Sequence, residues 1–112
     1  MKVLVTGSRN GFIGVETVLD EMKDKLPITE MICGGAAGVD WQCEDWAENH
    51  GLPVHVFEAN WLAEGLAAGP KRNQRMINEG KPEFAIIFPG GKGTADCARR
   101  IKESKIPYVE IK

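Results

Sequence analysis

Short apolar runs alternate with stretches of helical period along the whole chain. The runs Val3–Thr6, Thr29–Cys33, Val54–Phe57, Phe84–Phe88 and Tyr108–Ile111 have the length and composition of buried strands. After the first, Val15, Val18, Leu19, Met22 and Leu26 recur at i, i+3, i+4, i+7 and i+11, one apolar stripe of a helix. Val39, Cys43, Trp46 and Ala47 form a second stripe, which Gly51 stops before Pro53 restarts the chain. A third helix is predicted from Pro70, a favoured first helical position, to about Glu79 before Gly80. The last is predicted over Ala95–Ser104, with Ala95, Ala98 and Ile101 inward and Arg99, Arg100, Lys102 and Lys105 outward. Such alternation predicts a doubly wound α/β domain spanning 1–112, with a five-stranded parallel sheet in the order 3-2-1-4-5 and helices on both faces.

In a sheet of this kind ligands bind beyond the carboxyl ends of the strands, where the strand order reverses. The glycines gather at those ends. Gly7-Ser8-Arg9-Asn10-Gly11 follows strand one, Gly34-Gly35-Ala36-Ala37-Gly38-Val39-Asp40 follows strand two, and Pro89-Gly90-Gly91-Lys92-Gly93-Thr94 follows strand four. A glycine turn between strand and helix lets bare N–H groups approach an anion, and the helix terminus adds partial positive charge. One such turn is as well explained by a tight bend. Three meeting over one crevice predict a nucleotide-sized site. The opening Val3–Gly7 with Gly11-Phe12-Ile13-Gly14 looks like the cofactor loop of extended short-chain dehydrogenases, but two facts count against that reading. The first two glycines are one residue too far apart, and the single tyrosine, Tyr108, meets Lys112 in a terminal strand rather than on a helix.

Composition narrows the choice. The chain is 43% hydrophobic and 27% charged, with a formal net charge of −2, a poor match to a duplex nucleic-acid binder. The apolar run at Met1–Thr6 is too short for a signal peptide and nothing approaches a membrane span, so a cytoplasmic protein without a membrane partner is expected. Cys33, Cys43 and Cys97 are odd in number and widely spaced, which fits free thiols. His50 and His55 have no ligand spacing to them, so neither a metal site nor a required cofactor is expected.

The ordered segments Val5–Arg9, Gly34–Asp40, Ala59-Asn60-Trp61, Ala68–Asn73 with Met76, and Phe88–Asp96 resemble the SLOG superfamily, in particular its small YspA-like (cpYpsA-related) branch. The resemblance covers nearly the whole chain. It implies a Rossmann-like fold and a nucleotide or nucleotide-derived ligand, such as ADP-ribose, NAD or a nucleoside monophosphate, held by a sensor or binding module. The chain is also distantly similar to the lonely-guy phosphoribohydrolases, which cleave the N-glycosidic bond of nucleoside monophosphates. A further relative is the DNA-processing protein of natural transformation, which binds single-stranded DNA. Expected ligand-binding residues are Gly7, Ser8, Arg9, Gly34, Gly35, Gly38, Asp40, Arg72, Asn73, Pro89, Gly90, Gly91, Lys92, Gly93 and Thr94.

Individual roles divide between ligand and scaffold. Asp40 either accepts ribose hydroxyls or serves as a favourable carboxylate in a helix first turn. Ser8 either caps the following helix or touches the ligand, and Thr94 either donates to phosphate or caps the last helix. Arg72, four residues before Met76, takes the place of a catalytic arginine in the phosphoribohydrolases. Their glutamate, in Pro-Gly-Gly-x-Gly-Thr-x-x-Glu, is replaced by Cys97, a neutral thiol. Asp96 is turned away from that position by roughly 100° on a helix, and completes a catalytic pair with Arg72 only if the helix start is shifted. Binding is therefore favoured over cleavage. Single-strand binding through Lys71, Arg72, Arg75 and an aromatic platform comes third. Trp46 is expected in the core, Trp61 on a base or an interface, and Trp41 in the interface of a homodimer.

Overall fold

A computed structural model describes residues 1–112. Five strands, β1 (Lys2–Thr6), β2 (Glu30–Cys33), β3 (Val54–Val56), β4 (Phe84–Ile87) and β5 (Tyr108–Glu110), form one sheet in the order β3-β2-β1-β4-β5. Every pairing is parallel, with Val3 opposite Met31 on one side and Phe84 on the other. The expected α/β topology is therefore the observed one.

Alternation along β1 explains how both faces are filled. Val3 and Val5 point to one side, where they pack with Val15 and Leu19 of α1 (Val15–Lys25) and Val39, Cys43 and Trp46 of α2 (Val39–Asn49). Leu4 points to the other, joining Ile32, Met76 of α4 (Ala68–Asn78) and Cys97 and Ile101 of α5 (Lys92–Glu103). All three cysteines are free and buried.

Three features of the helices differ from the sequence expectation. A short helix, α3 (Trp61–Glu64), and a 3-10 turn over Gly65–Ala67 lead straight into α4, so that helix starts two residues before Pro70. Pro70 still lies in the first turn, where its missing N–H costs no helical hydrogen bond. Helix α5 begins at Lys92 rather than Ala95 and is one turn longer at its start. Its buried stripe is accordingly Thr94, Cys97 and Ile101, and Ala95 is exposed.

Candidate functional site

The three glycine loops meet around the backbone of Ser8. Its N–H donates to the Pro89 carbonyl at 3.0 Å, and its carbonyl accepts from the N–H of Val39 at 3.0 Å. One glycine from each loop makes this convergence possible. A Cβ on Gly7 would lie 2.7 Å from Val39 and 2.9 Å from Phe88. On Gly38, held at φ +79°, it would strike the backbone of Ser8 and Arg9, and on Gly90 it would strike the Thr94 hydroxyl. These glycines serve loop-to-loop contact. Gly91 and Gly93 differ: a Cβ on either would meet nothing within 4 Å.

The open space beside them is a crevice of about 410 Å³ at the junction of β1 and β4, the point where the strand order reverses. That volume lies in the ordinary range for small-molecule sites, about 300–1,000 Å³. Its walls carry Gly7, Ser8, Arg9, Asp40, Arg72, Asn73, Gly91, Lys92, Gly93 and Thr94 of the expected residues. Gly34 and Gly35 line a smaller cavity that adjoins it through Arg9 and Arg72. Gly38, Pro89 and Gly90 lie outside both. Thr6, Asn10, Ala36 and Met76 complete the main crevice. Thr6 had a signal in its place at a strand carboxyl end, Met76 follows Arg72 by one helical turn, and Asn10 and Ala36 lie within the first two glycine loops.

Helix α5 points its first turn into the crevice. Its N-cap, Gly91, supplies no side chain to cap it, and the N–H groups of Lys92, Gly93 and Thr94 lack intrahelical acceptors. Thr94 sits inside the first turn, so the capping role open to it is not taken. Ser8 likewise does not cap α1, whose N-cap is Gly14; its hydroxyl accepts from the N–H of Asn10 at 3.0 Å within its own turn.

The opposite wall is charged. Asp40 is only 7% exposed and is the single carboxylate lining the crevice. Burial pushes its carboxyl up to about 6, against the pull of the Ala36 N–H, which donates to it at 3.2 Å, and of the Arg72 guanidinium. Arg72 is held in place by donating from Nη1 to the Gly34 carbonyl at 2.7 Å and from Nε to Asn73 Oδ1 at 2.9 Å. Asn73 in turn donates to the Gly93 carbonyl and, at 3.0 Å, to Asp96.

Asp96 itself does not line the crevice. Its carboxylate accepts from Arg100 at 2.8 Å and Arg99 at 3.0 Å, and these bonds with that from Asn73 outweigh burial and hold it below the ordinary range. Cys97 is buried in the core, where desolvation pushes its thiol up to about 11 and keeps it neutral. The basic patch expected on α4 is divided. Arg72 faces inward, whereas Lys71 and Arg75 both lie 3.6 Å from Glu64. Trp46 is core and donates to Asp20 at 2.8 Å; Trp41 is 59% exposed. No group of three or more His, Cys, Asp or Glu side chains is placed to hold a metal ion.

The model of a family described as YspA, cpYpsA-related SLOG matches residues 1–63, which contain the first two glycine loops and Asp40. No curated protein matches the chain. Among solved structures, a candidate UDP-N-acetylglucosamine 2-epimerase from Listeria monocytogenes superposes over 100% of this chain with a TM-score of 0.57 at 10% identity. This chain spans 31% of that protein's length, and the likeness is one of fold.

Proposed function

The chain belongs to the YspA, cpYpsA-related SLOG family, and from that premise we propose that it binds a nucleotide or nucleotide-derived ligand as a sensor or binding module. ADP-ribose, NAD-like molecules and nucleoside monophosphates are the candidate class. One observation carries the reading: the uncapped first turn of α5 and the open glycines Gly91 and Gly93 face Arg9, Arg72 and the lone carboxylate Asp40 across one crevice. The free N–H groups and Arg9 take phosphate. Asp40 accepts from ribose hydroxyls, and Arg72 keeps the Gly34 loop in register behind it. Thermal-shift measurements with AMP, ADP-ribose and NAD test the proposal. At a hundredfold excess over Kd, linked binding adds about 2.7 kcal/mol of stability; an unchanged midpoint across the panel contradicts it.

Cleavage of the N-glycosidic bond is a second reading, and Asp40 favours it. A carboxyl raised to about 6 within a crevice is suited to proton transfer near neutrality. In that reading water and a nucleoside monophosphate yield free base and ribose 5-phosphate, Arg72 polarises the ribose, and Asp40 takes the acidic role expected of Asp96. Chromatography for released base tests it. Release that is abolished by Asp40→Asn but survives Asp96→Asn supports this assignment, and the converse supports Asp96.

We further propose a homodimer through the face that bears Ile13 and Trp41, which are 99% and 59% exposed and line one shared hollow. Light scattering on the wild type and on Trp41→Glu checks this, with a dimer mass expected only for the wild type.

A further inference from the structure

Beyond Arg9 and Arg72 the crevice continues into a cavity of about 190 Å³ between the loops that follow β2 and β3, with Trp61 on its wall. Two contacts hold the indole as a fixed platform. Asn60 caps α3 by accepting from the N–H of Ala63 at 3.2 Å, which sets Trp61 as the first helical residue. The edge of the indole rests on Gly69 of α4, where a Cβ would come within 3.3 Å of the ring. Trp61 nonetheless stays 48% exposed, and the Arg9 guanidinium lies over it at 5.7 Å from the ring centroid. Arg9 therefore belongs to two cavities at once, as a wall of the anion crevice and a cover for the platform.

We infer that this cavity is a base subsite gated by Arg9: phosphate at the start of α5 draws the guanidinium off the indole, and the base of the same ligand stacks in its place. The inference rests on the nucleotide-binding reading. An exposed cation–π contact is worth only about 0.5–1 kcal/mol, whereas a charge-assisted bond from arginine to phosphate is roughly twice as strong as a neutral one. The guanidinium thus leaves the ring for an anion at little cost. The freed face then accepts any heterocyclic base, because every base has a π face to stack.

Calorimetric titration with AMP, adenosine and ribose 5-phosphate tests the gate. Trp61→Ala is expected to weaken AMP by about 5- to 100-fold and to leave ribose 5-phosphate within about twofold, the latter also reporting that the variant is folded. Trp61→Phe retains most of the AMP affinity. Arg9→Ala weakens AMP but leaves adenosine as tight as before or tighter, since the cover is gone. An AMP to ribose 5-phosphate ratio that Trp61→Ala leaves unchanged overturns the subsite. Equal weakening of AMP and adenosine by Arg9→Ala overturns the gate. If AMP, ADP-ribose, NAD and ribose 5-phosphate all fail to bind the wild type, the nucleotide reading fails, and the subsite with it. Binding of ribose 5-phosphate alone overturns only the subsite.

Discussion

At the scale of single residues, two glycines in neighbouring loops have opposite tasks. Gly38 adopts φ +79° against the backbone of Ser8 and Arg9. Gly38→Ala therefore combines the strain of a positive-φ conformation that only glycine adopts readily with a clash that no rotamer relieves. A loss of at least about 2 kcal/mol in chemical unfolding is expected. Gly93 lies in the first turn of α5 with open space before it. Gly93→Ala is expected to raise stability by up to about 1 kcal/mol through helix propensity, while its methyl group obstructs the anion and weakens AMP in the same preparation. Asp40 gives a pH signature. Its folded value of about 6 lies above the ordinary 3.8, so between these values the folded state binds more protons than the unfolded one. Stability present below pH 3.8 is then lost as pH rises through 6, by roughly 3 kcal/mol for a shift of about two units. Asp40→Asn removes that loss. The variant should gain on the wild type at pH 8 and not at pH 3.5, in denaturant titrations at both.

At the scale of elements, Asn73 joins α4 to α5. It is 3% exposed, and it donates to Gly93 and Asp96 while accepting from Arg72. Truncation to Ala leaves buried polar groups unpaired at a cost of about 1–3 kcal/mol. It also loosens the Arg72 side chain, so AMP affinity should fall with stability in Asn73→Ala, as unfolding and titration together can show. The strands and long helices were legible because apolar pattern alone distinguishes them, as the stripe Val15–Leu26 and the continuous apolar run Val3–Val5 illustrate. The start of α5 was not, because Gly91 and Gly93 carry no hydrophobic signal and open a helix without a side-chain cap. Helix α3 was missed for a similar reason: it spans four residues and buries none, too short for any periodicity. The three glycine loops announced the crevice, but not which glycines face it. That division depends on neighbours far away in the chain, such as Val39 and Phe88 around Gly7. Cys97 stands where the phosphoribohydrolases carry glutamate, and its neutral thiol suits its place in the core among Leu4, Ile32 and Ile101.

At the scale of the whole molecule, two helix pairs clamp one parallel sheet and leave its carboxyl edge to loops. The crevice on that edge has a cationic wall in Arg9 and Arg72, a helix terminus, and one carboxylate. No helix is long and apolar enough to cross a membrane. On α4 and α5 four cations are taken up by ion pairs, Lys71 and Arg75 with Glu64 and Arg99 and Arg100 with Asp96. The central claim is that phosphate at the start of α5 anchors the ligand. Calorimetric titration of wild-type protein with AMP and with adenosine, side by side, tests it most directly. Saturable one-site binding of AMP at least about tenfold tighter than adenosine, a difference of about 1.4 kcal/mol, is the predicted result. Equal affinities, or no heat from AMP, ADP-ribose and NAD alike, would contradict the account.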